Sequence, residues 1–168
     1  MKQLLLLICI IQANFLVAQN DYLITLKGDS LVGKIDLRQA RFYDELTIKT
    51  DEGKQNFRVY AIKKVVKEEN TFEMVTFNNK KVFGQVVEKG SKASLYLVRN
   101  DGNQSFVNKL ITKNDGKSAV LQVVKFKNTI TKLFDDCPEL IERLDNKEFS
   151  MQNLSELLQF YEDCELGG

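Results

Sequence analysis

The chain has 168 residues, with 24 basic and 23 acidic side chains, a formal net charge of +1, and no histidine. Charge this evenly balanced gives no electrostatic reason to expect nucleic acid or an anionic lipid surface as a partner. The missing imidazole excludes histidine general bases, the usual catalytic triads and ordinary His-containing zinc sites.

Residues 1–19, MKQLLLLICIIQANFLVAQ, read as a secretion signal. One cation at Lys2 precedes an apolar run from Leu4 to Ile11, which is too short to cross a bilayer as a helix, and the segment exits through Val17, Ala18 and Gln19 into Asn20 and Asp21. Cleavage is expected near Ala18 or Gln19. Cys9 does not fit an acylated lipoprotein cysteine, because Ile8 before it is large and too little apolar sequence precedes it. Removal of the signal leaves 23 basic and 23 acidic residues and two cysteines. The remaining length suits one domain, exported to the periplasm or beyond, with no transmembrane segment after cleavage.

From residue 20 to 127 the pattern is of short β-branched and aromatic runs broken by Gly, Asn and Asp, which predicts a β-rich body. Tyr22–Lys27 turns at Gly28-Asp29 and returns as Ser30–Leu37, and Glu45–Thr50 turns at Asp51–Lys54 and returns as Gln55–Tyr60. Further strands are expected at Ile62–Lys67, Thr71–Phe77, Val82–Lys89, Ser94–Arg99, Ser105–Ile111 and Ala119–Phe126. Their spacing is that of a sandwich or a partly open barrel. The body also carries the marks of two duplicated β-meander halves, 21–66 and 71–116. Thr25 and Gly33 correspond to Thr76 and Gly84, and Leu46, Gly53, Gln55 and Phe57 correspond to Leu95, Gly102, Gln104 and Phe106. Convergent hairpins on Gly turns would give a similar pattern.

From residue 128 to 168 the apolar period becomes helical. Ile130, Leu133 and Phe134 make one stripe. Pro138, the only proline, occupies the first position of a second helix, with Asp136 or Cys137 as its cap and Leu140, Ile141 and Leu144 as its face. Ser150 is placed to cap a third helix with the stripe Met151, Leu154, Leu157, Leu158 and Tyr161. These helices are expected to form a clasp on the body, giving an α+β fold that is mainly antiparallel sheet. Cys137 and Cys164 both continue apolar stripes. In an oxidising compartment their pairing would close a loop worth roughly 3 kcal/mol, and two buried thiols are the alternative.

No nucleotide-binding glycine fingerprint and no Cys-x-x-Cys occur. The densest carboxylate cluster is Asp135, Asp136 and Glu139. Neighbouring residues on a helix point about 100° apart, so capping explains it better than acid/base chemistry. Asp51-Glu52-Gly53 and Asn100-Asp101-Gly102 read as hairpin turns rather than calcium loops. Lys63, Lys64 and Lys67 read as an exposed strand face of the kind that guards a sheet edge, and Lys80 and Lys81 form a second basic pair; a polyanion contact is the alternative for these clusters. Tyr22, Tyr43, Tyr60 and Tyr96 fit the core, or the lining of a cavity if the sheet closes. Asn103 and Asn153 lie in glycosylation sequons.

The start of the body, DYLITLKGDSLVGKI, and the ending LFDDCPELIERLDNKEFSMQNLSELLQFYEDC resemble small exported Bacteroidota proteins of unknown function. The resemblance implies an envelope location and transfers no catalytic, cofactor or metal residue. A non-enzymatic binding or interaction module without a cofactor, whose partner is an envelope protein or a small ligand, is the leading expectation. A small-molecule or lipid carrier with an aromatic-lined cavity stands second, and a carboxylate-dependent hydrolase using Asp135 and Asp136 third.

Overall fold

The computed structural model describes residues 21–37, 45–100 and 103–164. The expected signal, with Ala18 and Gln19, lies outside these residues, as do Tyr43, Asp101 and Gly102. The fold is α+β and mostly antiparallel sheet. Strands β1 (Tyr22–Thr25), β2 (Ser30–Val32), β6 (Ile62–Lys67), β7 (Asn70–Phe77), β8 (Lys80–Lys89), β9 (Ala93–Asn100), β10 (Asn103–Lys113) and β11 (Ser118–Val120) form one open sheet in the order β11-β10-β9-β8-β7-β6-β1-β2. A second sheet holds β3 (Lys34–Asp36), β4 (Glu45–Thr50) and β5 (Gly53–Arg58).

One glycine decides how the chain leaves the first sheet for the second. Gly33 separates β2 from β3, and a Cβ there would stand 2.5 Å from the backbone oxygen of Lys49. Only a residue without a side chain lets the two backbones approach so closely. Tight two-residue turns then build the meander. Glu68-Glu69 and Asn78-Asn79 all have positive φ, as the primed hairpin turns require.

Cross-strand partners share a face, so the register fixes what each face does. Leu31, Leu23, Val65, Phe72, Gln85, Leu97 and Lys109 are successive partners across seven strands. One end of this face carries the small sheet, whose Ile35, Leu46 and Ile48 pack with Leu23, Ile62 and Val65. The other end carries the helical clasp, which packs on Ala93, Leu95 and Ile111. The opposite face gathers Val75, Phe77, Tyr96, Val98 and Leu110.

The clasp consists of α1 (Phe126–Leu133), α2 (Pro138–Asp145) and α3 (Leu154–Asp163). Pro138 is the first residue of α2 and Cys137 its cap position, as the sequence predicts. Asp136 does not cap, because its carboxylate is engaged elsewhere. Ser150 does not cap α3 either. Asn153 holds that position, and the Ser150 N–H and hydroxyl both donate to its side-chain oxygen at 2.7 and 3.0 Å. The last expected strand, Ala119–Phe126, shrinks to β11 and a 3-10 turn, because Phe126 already starts α1 and buries itself with Ile130 and Leu133.

Two further expectations change. The halves 21–66 and 71–116 share a pairing sequence, with β1·β2, β3·β4 and β4·β5 against β7·β8, β8·β9 and β9·β10. Their sheet order differs: the first half is split between two sheets and returns to pair β6 with β1, whereas the second is one continuous meander. The lysine-rich β6 lies between β1 and β7 rather than at an edge, so guarding an edge is not its role.

Candidate functional site

Two assemblies of polar side chains stand out, a buried one under the clasp and an open one beside the small sheet. The buried one begins with Lys113. In the run Val107-Asn108-Lys109-Leu110-Ile111-Thr112-Lys113, alternation puts Lys113 on the same face as Ile111, beneath the helices. Its side chain is only 3% exposed, and its ammonium sits 2.7 Å from Asp136 Oδ2 and 3.4 Å from Asp115 Oδ2. The Tyr161 hydroxyl donates to the same Asp136 oxygen at 2.9 Å, and the ammonium lies 5.4 Å from the centre of the Tyr161 ring. Burial works against the charge on both partners, but the hydrogen bonds between Lys113, Asp136 and Tyr161 outweigh it. The Lys113 ammonium is therefore held well above the usual lysine range and the Asp136 carboxyl below its own.

A second tie fixes the end of α3. Glu162 reaches the β8–β9 turn, where one carboxylate oxygen accepts from the N–H groups of Lys92 and Ala93 at 2.8 and 3.0 Å. The other accepts from the N–H of Ser91 at 2.9 Å and from its hydroxyl. Lys92 Nζ donates to the carbonyl oxygen of Cys164 at 2.6 Å. Cys137 and Cys164 are joined by a disulfide with a Cα–Cα distance of 6.2 Å, as their places on the two stripes lead one to expect. Burial opposes the charge on Glu162, and the Ser91 hydroxyl with the backbone N–H groups of Ala93, Lys92 and Ser91 overrides it and lowers the carboxyl.

These ties make the clasp acid-sensitive. Glu162 and Asp136 have lowered pKa values in the folded chain, so each adds stability above its unfolded value near about 4 and loses it as pH falls through the folded value. Thermal melting is expected to drop progressively below about pH 5, and Glu162→Gln to flatten that dependence while lowering stability at neutral pH by about 1–3 kcal/mol. An unchanged pH profile in the variant would show that the Glu162 contact carries no linkage.

The carboxylates of Asp135, Asp136 and Glu139 do not form a pair for acid/base work. Asp135 lies 3.3 Å from Lys117, Asp136 faces Lys113, and Glu139 stands exposed in the first turn of α2. Among the described residues no group of three or more metal-ligating side chains comes together, and no helix is long and apolar enough to cross a membrane. Asp51 and Glu52 occupy the β4–β5 turn, Tyr96 is core, and the Asn153 side chain accepts from the Ser150 N–H and donates to the Glu148 carbonyl oxygen.

The open assembly is a groove of about 1400 Å³, lined by the polar face of the small sheet and by residues of β6 to β10. Seven basic and two acidic side chains line it. Lys34, Lys49 and Lys54 are direct cross-strand partners, one from each strand of the small sheet. Phe72, Phe83, Leu97 and Val107 supply its apolar part, and Tyr60, 68% exposed, stands at its side. Lys34, Lys49, Lys54, Lys81 and Arg99 make no ion pair among the described residues, whereas Lys89, Lys113, Lys117 and Lys127 each face a carboxylate. A near-zero total therefore does not prevent local clustering, and the fold gathers these cations along one groove. Alternation in Gly33-Lys34-Ile35 and Ile48-Lys49 marks these lysines as outward-facing, but only the register lines them up.

Tyr60 lines this groove, as do Lys67, Lys80 and Lys81. Because the eight-stranded sheet stays open, the closed aromatic cavity foreseen for a barrel does not form. Leu97 also lines a smaller pocket of about 330 Å³ below the start of α3.

Comparison of the chain with known protein families, with curated proteins and with solved structures finds no match.

Proposed function

We propose that this chain is an exported cell-envelope protein acting as a non-enzymatic binding module, and that the basic groove is its ligand surface. The observation that carries the reading is the concentration of five cations without an ion pair among the described residues, along one groove of a chain whose basic and acidic residues nearly balance in total. Opposed like charges weaken a sheet, so the row Lys34, Lys49, Lys54 costs the free protein stability that an anion would return. The export signal in the sequence and the disulfide agree with an oxidising compartment.

The test is titration with inositol hexakisphosphate, a compact polyanion, followed by amide chemical shifts. Shifts are expected in β3, β4, β5 and β8, and Lys34→Gln/Lys49→Gln/Lys54→Gln should weaken binding by about tenfold or more at low salt. Binding that ignores these substitutions, or turnover of an envelope substrate that survives them, would overturn the proposal.

A further inference from the structure

We infer that the ligand of this groove is a linear polysaccharide bearing carboxylates, an inference that rests on the groove being the binding surface proposed above. Three lysines in direct register across three neighbouring strands put positive charge at steps of about 4.8 Å. That regular row matches a chain with an anion on successive short repeats better than a single compact anion. The next row of the same sheet face is Asp36, Thr47 and Asn56, and the Thr47 hydroxyl donates to the Asn56 side-chain oxygen at 2.8 Å. Gln85 similarly donates to Asn70 at 2.8 Å on the other wall. Oriented amides and hydroxyls beside cations offer the hydrogen bonds that sugar hydroxyls need, and exposed Tyr60 offers a flat apolar ring.

The same features disfavour two other polyanionic partners. A bilayer surface is broad, and it meets lysines on a protruding face with apolar side chains that insert beside them. Here Phe72, Phe83 and Leu97 are only partly exposed, as lining of a groove rather than a protruding face. Single-stranded nucleic acid needs successive aromatic platforms, and Tyr60 is the one strongly exposed aromatic in the groove lining among the described residues.

The experiment is calorimetric titration of the disulfide-bonded mature chain with polygalacturonate oligomers, with neutral dextran, phosphatidylglycerol vesicles and oligo-dT as comparators. Saturable, salt-sensitive binding of polygalacturonate is expected, weakened at least tenfold by Lys34→Gln/Lys49→Gln/Lys54→Gln. Lys27→Gln/Lys125→Gln/Lys132→Gln, outside the groove, should leave the affinity within twofold, and the melting temperatures of both variants verify their folding. Binding of vesicles or oligo-dT through the groove lysines, with none of polygalacturonate, would overturn this inference and leave the binding-module reading standing. Equal binding of dextran would also overturn it, since charge would then play no part. Failure to bind any anion through these lysines would overturn both.

Discussion

Asp136→Asn is expected to lower the unfolding free energy by about 3–5 kcal/mol, the cost of leaving a buried charge without its partner. The Lys113 side chain is 3% exposed, so its ammonium cannot turn to water when the carboxylate is lost, and Asp115, 3.4 Å away and 43% exposed, is a weaker partner. The amide oxygen of asparagine can still accept from the Tyr161 hydroxyl, so what the substitution removes is the negative charge that the Lys113 ammonium faces. For a domain of this size the change corresponds to a melting temperature about 10 °C lower. Adding Lys113→Met to Asp136→Asn should recover much of the loss, because replacing a buried pair by uncharged side chains is far less costly than breaking it. Chemical denaturation of the single and double variants measures the coupling. A cost below about 1 kcal/mol for Asp136→Asn would mean that the pair is solvated in the folded protein.

The second large effect belongs to the disulfide. Cys137 and Cys164 are 27 residues apart, and opening that loop releases about 3.5 kcal/mol of chain entropy to the unfolded state. Cys137→Ser/Cys164→Ser is therefore expected to melt about 10 °C below the oxidised protein and to match the reduced wild type. It should still unfold cooperatively, because Phe134, Leu140, Leu157 and Tyr161 stay buried against one another and Glu162 still holds the β8–β9 turn. Hydrogen exchange separates this expectation from local loss of the clasp. Selective exchange of α2 and α3 in the variant would show that the bridge, rather than the core, keeps the helices in place.

The proposed binding surface was the least legible part of the chain before its strands were paired. A lysine in an alternating strand reads as an ordinary solvated face. Lys34, Lys49 and Lys54 lie 15 and 5 residues apart in sequence, and nothing in that spacing makes them neighbours. Lys113 is a similar case. Its alternation with Ile111 hints at an inward position, but the carboxylate that makes its burial tolerable comes from Asp136, beyond β11 and α1.

By itself the sequence determined the local elements. Alternating β-branched residues and Gly, Asn and Asp turns set nearly every strand, the 3.6-residue stripes set the helices, and Pro138 set the start of α2, because each of these depends on residues close along the chain. The pairing of Cys137 with Cys164 was legible for the same reason, since each lies at a fixed place on an apolar stripe. Only the tertiary structure decided that Gly33 sends the chain into a second sheet, that both covering layers share one face, and that an almost neutral sequence presents a basic groove. Those outcomes depend on register between segments far apart in the chain, and register follows from the packing of whole faces rather than from any local pattern.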